Sequence, residues 1–342
     1  MNKQNSSQLS RLLPNIPLID SPLFPDLLQA GTFGLHQETA RQLNQDGLAI
    51  IDLGQERMRK IATEIIEDLS SKFDLEEWRS QNSKSGLREQ DAWIEHTAVQ
   101  NLGLDPVILD ILRTVYGREP FAFQTLNFPV GTQQHLHSDA IHFHSEPAGF
   151  MCGVWVPLED IHPDSGPLIY VPGSHRLPYL QAHDVGYRQE KDSKPRQDIF
   201  HPAWQAMIEA QGLTFKTYTP KLGEALIWSA NLLHGGSEVH DRNKTRWSQV
   251  THYFFENCRH YTPIHSDWPH GEITWRSPAK VGHASSVSSL NNRQPKANSL
   301  SKLSEFDADL YLEANPDIAA AGMNPYEHLI KYGIKEGRRW HP

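Results

Sequence analysis

The sequence is short of cysteine, of long apolar runs and of positive charge, and each shortage removes a class of protein. Its two cysteines, Cys152 and Cys258, stand far apart, so no disulfide framework is expected and a reducing compartment, the cytoplasm, fits best. No run reaches the roughly 18 consecutive apolar residues that a membrane-spanning helix needs. The opening residues, MNKQNSSQLSRLLPNIPLID, hold no unbroken apolar core of secretory type, and no membrane partner is expected. A net charge of −9 argues against a nucleic-acid binder held by phosphate contacts. What is present is a chain of 342 residues, enough for one large domain and a small addition, with 19 histidines and 9 tryptophans. An excess of histidine suits metal chemistry, but only position turns it into a site.

Residues 1–30, polar and punctuated by proline, read as an irregular arm. Helical periodicity over 36–46 stops at Gly47, and residues 48–52 read as a short buried strand. An amphipathic helix spans roughly 55–72, with Met58, Ile61, Ile65 and Leu69 on one face. Asp105 before Pro106 caps a further helix that ends at Gly117. From about 121 to 256 the chain turns to short apolar runs, at 121–128, 149–157, 168–172, 213–218, 224–230 and 246–255. Pro, Gly, Asn and Asp separate them. This is the pattern of a mainly β sandwich or barrel, and a jelly roll is the natural candidate. The charged stretch 179–212 is long for a connection and reads as a loop that covers a binding site. Residues 277–303, rich in Ser, Asn and Lys and without acid, read as a flexible linker. The main domain then covers 31–276. Residues 304–342 read as a small helical module, with Ser304, Pro316, Gly322, Pro325 and Gly333 at cap and first-turn positions.

The segment 134–144, QHLHSDAIHFH, carries the main chemical signal. In an extended strand, residues two apart share a face, so His137 and Asp139 can offer an imidazole and a carboxylate to one ion. A second histidine has to come from elsewhere, and His234, in 223–236 (GEALIWSANLLHGG), follows an apolar strand and precedes two glycines. Two histidines and one carboxylate leave one side of an iron(II) ion open for a bidentate keto acid and dioxygen. The neighbouring His135, His142 and His144 leave a histidine-rich zinc site as the alternative.

Arg246 and Ser248 share a strand face, which His252 and Phe254 continue. A guanidinium clamps a carboxylate at two points, and a nearby hydroxyl suits the same ligand. 2-Oxoglutarate has its second carboxylate at the end remote from the metal. The plain alternative is a structural Arg paired with an acid, and Arg242, in a polar turn, is a competing clamp.

With these residues in place, the chain resembles the phytanoyl-CoA dioxygenase family of 2-oxoglutarate oxygenases over roughly 40–256. The resemblance rests on His137-Ser-Asp139, on 155–160 (WVPLED), on 166–175 (GPLIYVPGSH), and on 223–228 (GEALIW) with His234-Gly235 and Arg246 downstream. It implies a double-stranded β-helix (jelly roll, cupin-like) with supporting N-terminal helices. It implies iron on His137, Asp139 and His234, and 2-oxoglutarate on Arg246 with help from Trp155 and a polar residue of an early strand, Gln124 or Asn127. One departure is Gly236, where the family often has a serine; a one-residue bulge would let Ser237 take that role. His175 is read as a structural turn residue. The tail resembles a short helical module found appended to bacterial proteins, expected to dock a protein partner. The activity implied is hydroxylation of a C–H bond of a small organic substrate, with 2-oxoglutarate and dioxygen consumed and succinate and carbon dioxide released. The rivals are a non-oxidative cupin-like metalloenzyme and a catalytically inactive jelly-roll binding module.

Overall fold

The structure is a computed structural model that describes residues 8–81, 86–186 and 196–283, together with 308, 311–312, 315, 318 and 325–328. It divides into two compact units, residues 1–282 and 283–342. Residues 284–303 of the expected linker lie outside the described residues, as do Ser304, Pro316, Gly322 and Gly333. In the second unit, a short helix at Pro325–His328 brings His328 Nδ1 to 2.8 Å from the buried Tyr311 hydroxyl.

Among the described residues of the first unit are twelve strands: β1 (Leu48–Asp52), β2 (Glu89–Gln90), β3 (Pro120–Phe128), β4 (His144–Glu146), β5 (Met151–Pro157), β6 (Leu168–Tyr170), β7 (Lys216–Tyr218), β8 (Glu224–Ser229), β9 (His234–Gly236), β10 (Ser248–Phe255), β11 (Arg259–Tyr261) and β12 (Trp275–Arg276). They form one six-stranded sheet, β1-β8-β5-β10-β3-β2, and two three-stranded sheets, β7-β6-β9 and β12-β11-β4. All pairings are antiparallel. This is the jelly roll expected from the run of short strands.

Alternation along β10 gives the large sheet two different faces. Gln249 and Tyr253 point to a helix at Thr97–Gly103, where Gln249 Nε2 donates to Val99 O at 3.0 Å and the Tyr253 hydroxyl to Gly103 O at 2.9 Å. Arg246, Val250 and His252 point the other way, into a cavity. The supporting helices follow the sequence closely. The Asp105 carboxylate accepts from Val107 N and Ile108 N at the start of the helix Pro106–Tyr116, and Gly117 ends it in the left-handed conformation. Such a cap contributes about 1 kcal/mol.

Three expectations change. The arm read as irregular carries a helix at Phe24–Gln29, whose Phe24 and Leu27 are buried with Leu18 and Ile19; four apolar anchors outweigh the proline punctuation. The stretch read as a loop over 179–212 holds a helix at Arg196–Ala210, hidden from the sequence by Pro202 inside it. Its Phe200, Trp204 and Ile208, spaced by four, pack against Ile141, Val171, Leu233 and Ile264; residues 187–195 of that stretch lie outside the described residues. The linker starts later than expected, because Ala279 and Val281 are buried and Val281 N donates to Ala122 O at 2.9 Å.

Candidate active site

His137 and His234 are brought together by backbone. They form an isolated antiparallel bridge in which each amide donates to the other's carbonyl, at 2.9 and 3.0 Å. Their rings lie 4.5 Å apart. Each ring is then turned by its own chain: His137 Nδ1 donates to His135 O at 2.9 Å and His234 Nδ1 to Leu232 O at 3.0 Å. A carbonyl only accepts, so the proton sits on Nδ1 and the lone pair of each Nε2 faces the site.

Asp139 does not continue a strand, as the spacing suggested. Ser138 is extended, and Asp139 opens a 3-10 turn capped by the Ser138 hydroxyl, which accepts from Ala140 N. The turn still aims the carboxylate at the histidines. Oδ1 lies 3.7 Å from His137 Nε2 and Oδ2 3.7 Å from His234 Nε2. One ligand atom from each of the three residues falls within 4.8 Å of the others, a spread one ion can close, and this is the only such group among the described residues. His135, His142 and His144 form no such group, which disfavours the zinc alternative.

Two residues that the sequence reading left without a role hold the carboxylate. Trp228 Nε1 donates to Asp139 Oδ2 at 2.8 Å, and His252 Nε2 lies 3.4 Å from the same oxygen. His252 Nδ1 lies 2.9 Å from Gln124 Oε1, so Gln124 reaches the site through it. Trp228 fits because the residue opposite it on β5 is Gly153; a Cβ there would stand 2.3 Å from the indole ring. A signal for His252 was available in the sequence, since it shares the β10 face with Arg246.

The electrostatics suit a metal. Burial, then the neighbouring His234 ring, pushes His137 down to about 4, which keeps the ring neutral as a ligand must be. Burial would raise the Asp139 carboxyl, but the adjoining His234 and His252 rings, with the hydrogen bond to His252, outweigh it and hold the group well below the usual carboxylate range. The site is therefore a neutral imidazole beside an ionised carboxylate.

Arg246 shares the cavity with these residues. It is 2% exposed, its Nε has no hydrogen-bond partner, and burial alone pushes it down to about 10. No acidic side chain among the described residues pairs with it. The structural-pair alternative thus has no partner among the described residues, and the competing Arg242 stacks on Trp78 and donates to its carbonyl, outside the cavity. Trp155 and Gln124 line the cavity, with the Arg246 guanidinium 5.7 Å from the Trp155 ring centre.

The other co-substrate candidates are placed elsewhere. Asn127 falls on the opposite face of β3 from Gln124, Leu126 and Phe128, where its amide donates to Gln249 Oε1 at 3.2 Å. The Ser248 hydroxyl is buried against Arg246 O at 3.4 Å, and Ser237 donates to Pro167 O at 2.9 Å; neither lines the cavity. No bulge brings Ser237 in. Gly236 has a steric reason, because a Cβ there would meet Thr132 Oγ1 at 2.6 Å and Gln133 N at 2.8 Å. The Thr132 side chain, which lines the cavity, fills that space. Gly236→Ser is expected to overpack this corner and destabilise the fold by about 1–3 kcal/mol. A urea titration checks it: the midpoint should fall at unchanged slope. His175 is structural, its Nε2 lying 3.2 Å from Asn44 O.

Comparison with known proteins agrees with this geometry. Residues 44–246 match the family described as phytanoyl-CoA dioxygenase (PhyH). An ectoine dioxygenase of Nocardia farcinica is 27% identical over 218 residues, which cover 59% of this chain and 72% of that protein. Among solved structures, the non-haem α-ketoglutarate-dependent carbocyclase SnoK from nogalamycin biosynthesis superposes with a TM-score of 0.52 at 14% identity, covering 74% of this chain and 95% of that one. The iron-bound EctD from S. alaskensis gives 0.50 at 20% identity, covering 71% and 85%. The family match and the ectoine dioxygenase relatives make this a non-haem iron oxygenase that uses 2-oxoglutarate and dioxygen. The chain belongs to the phytanoyl-CoA dioxygenase family.

Proposed function

We propose that His137, Asp139 and His234 hold iron(II), that Arg246 clamps the remote carboxylate of 2-oxoglutarate, and that the enzyme hydroxylates a C–H bond of a small organic substrate. The observation that carries this is the buried Arg246 cation, which has no acidic partner among the described residues and faces the same cavity as the histidine–carboxylate group. A structural metal site would need no such cation. When bound, iron and 2-oxoglutarate supply the activation of dioxygen: one oxygen atom enters the substrate C–H bond, the other enters succinate, and carbon dioxide leaves.

The chain's own residues position and shield. The two Nδ1–carbonyl bonds fix both imidazoles with Nε2 inward. Trp228 and His252 engage Asp139 through Oδ2 and leave Oδ1 as its disengaged oxygen. Phe128, Phe143, Leu168 and Val250 give the cavity, of about 360 Å³, apolar walls that limit water.

The test is anaerobic mixing of the protein with iron(II) and 2-oxoglutarate. A weak visible metal-to-ligand charge-transfer band is expected, and its absence from folded protein would sink the reading. Residues around the ligands matter too. His252→Phe keeps an aromatic ring but loses the contact with Oδ2, and should weaken iron(II) binding about 10–100-fold in an anaerobic titration; an unchanged affinity would remove His252 from the site.

A further inference from the structure

Two glycines and one left-handed residue hold a single threonine against the cavity. A Cβ on Gly86 would stand 2.7 Å from Thr132 Cα, and one on Gly236 would stand 2.6 Å from Thr132 Oγ1. The next residue, Gln133, has a φ of 50°, a conformation that residues other than glycine seldom adopt and that gathers at functional sites. Its Oε1 accepts from Val239 N at 3.2 Å, which secures the turn. Thr132 itself lines the cavity with Arg246 and the three ligand residues. Its hydroxyl accepts from Gln134 N at 3.5 Å, while among the described residues nothing accepts the hydroxyl hydrogen. Thr132 therefore offers the cavity a held donor that the fold does not use.

Two relations set where that donor lies. Gly236, beside it, stands two residues along β9 from His234, about 7 Å in a strand. That separation is comparable with the length of a five-carbon keto acid, from its chelating end to its far carboxylate. On the other side, Arg246 N donates to Pro129 O at 2.8 Å, three residues before Thr132. The hydroxyl thus stands off from the metal ligands, on the segment that Arg246 adjoins. A carboxylate has about four acceptor sites, and one guanidinium fork fills two of them. Where the wall also holds Leu168 and Val250, leaving the others empty is costly.

Building on the 2-oxoglutarate site proposed above, we infer that Thr132 donates through Oγ1 to the remote carboxylate of 2-oxoglutarate, as a second anchor beside Arg246. The test titrates 2-oxoglutarate into the anaerobic iron(II)-loaded protein and follows the charge-transfer band. The parent checks the underlying reading separately: without a band that reading fails, and with one only the role of Thr132 is at stake. Thr132→Val keeps the shape and loses the hydroxyl. It should bind iron(II) as the parent does and 2-oxoglutarate roughly ten- to hundredfold more weakly, the worth of a hydrogen bond to a charged group. The band should keep its position, because it reports the metal-bound end. Thr132→Ser and Thr132→Ala both lose the methyl group, and only Ser keeps the donor. Ser should therefore bind 2-oxoglutarate roughly tenfold more tightly than Ala, even where Val disturbs the packing. The inference is overturned if Thr132→Val binds 2-oxoglutarate as the parent does, or if Ser binds it no more tightly than Ala. A band displaced in Thr132→Val would also overturn it, by putting the hydroxyl at the metal-bound end.

Discussion

Arg246→Ala is expected to weaken 2-oxoglutarate binding by about thirty- to several-thousand-fold while leaving iron(II) affinity within a few-fold of the parent. The range corresponds to about 2–5 kcal/mol, the usual cost of removing one partner of a buried, hydrogen-bonded charge pair. The cost is large here because Arg246 is buried and its neighbours Trp155, Val250 and Leu168 are apolar. Without the guanidinium, a carboxylate entering past Trp155, Val250 and Leu168 would lose its water and gain no counter-charge. Iron should hardly notice, since Arg246 touches none of the three ligand side chains. The measurement is a 2-oxoglutarate titration of the anaerobic iron-loaded protein, followed by the charge-transfer band, beside an iron titration without 2-oxoglutarate. Equal 2-oxoglutarate affinity in variant and parent would place the anchor elsewhere.

Asp139→Ala should act on the metal itself. It leaves two neutral imidazoles and removes the one negative charge of the ligand group, so iron(II) affinity should fall by more than the roughly 10–100-fold typical of residues behind the ligands. Succinate release coupled to substrate should drop below detection. The variant also strands Trp228 Nε1 and His252, which now meet at Asp139 Oδ2. Asp139→Asn separates the two effects: its amide oxygen still accepts from Trp228 but carries no charge. If Asn fails like Ala, charge on the metal is the requirement; turnover retained in either variant would refute the ligand assignment.

The proposed ligand group was legible because its parts are local. His137 and Asp139 lie two apart, and His234 follows an apolar strand and precedes two glycines. Arg246 was legible through alternation, since a strand rich in apolar residues leaves little other use for a buried Arg. Alternation also holds the reason why Gln124 lines the cavity and Asn127 does not, for residues three apart on a strand point to opposite faces. What stayed hidden depends on partners distant in the chain. The part played by Trp228 exists only because β8 pairs with β5 in a register that sets Gly153 opposite it. Thr132 matters through the space it takes beside Gly236. The helix Arg196–Ala210 was masked by Pro202, a residue that ordinarily ends a helix.

The reciprocal amide–carbonyl pair between His137 and His234 has a consequence for how the site fills. Two of the three ligand residues are tied to each other by main chain, so their alignment does not wait for an ion. Little ordering is then left for the arriving ion to impose, and its binding energy goes chiefly into affinity. The same tie offers a readout that needs no metal: the two amides should exchange their hydrogens slowly in the metal-free protein, and loading should slow them only slightly further.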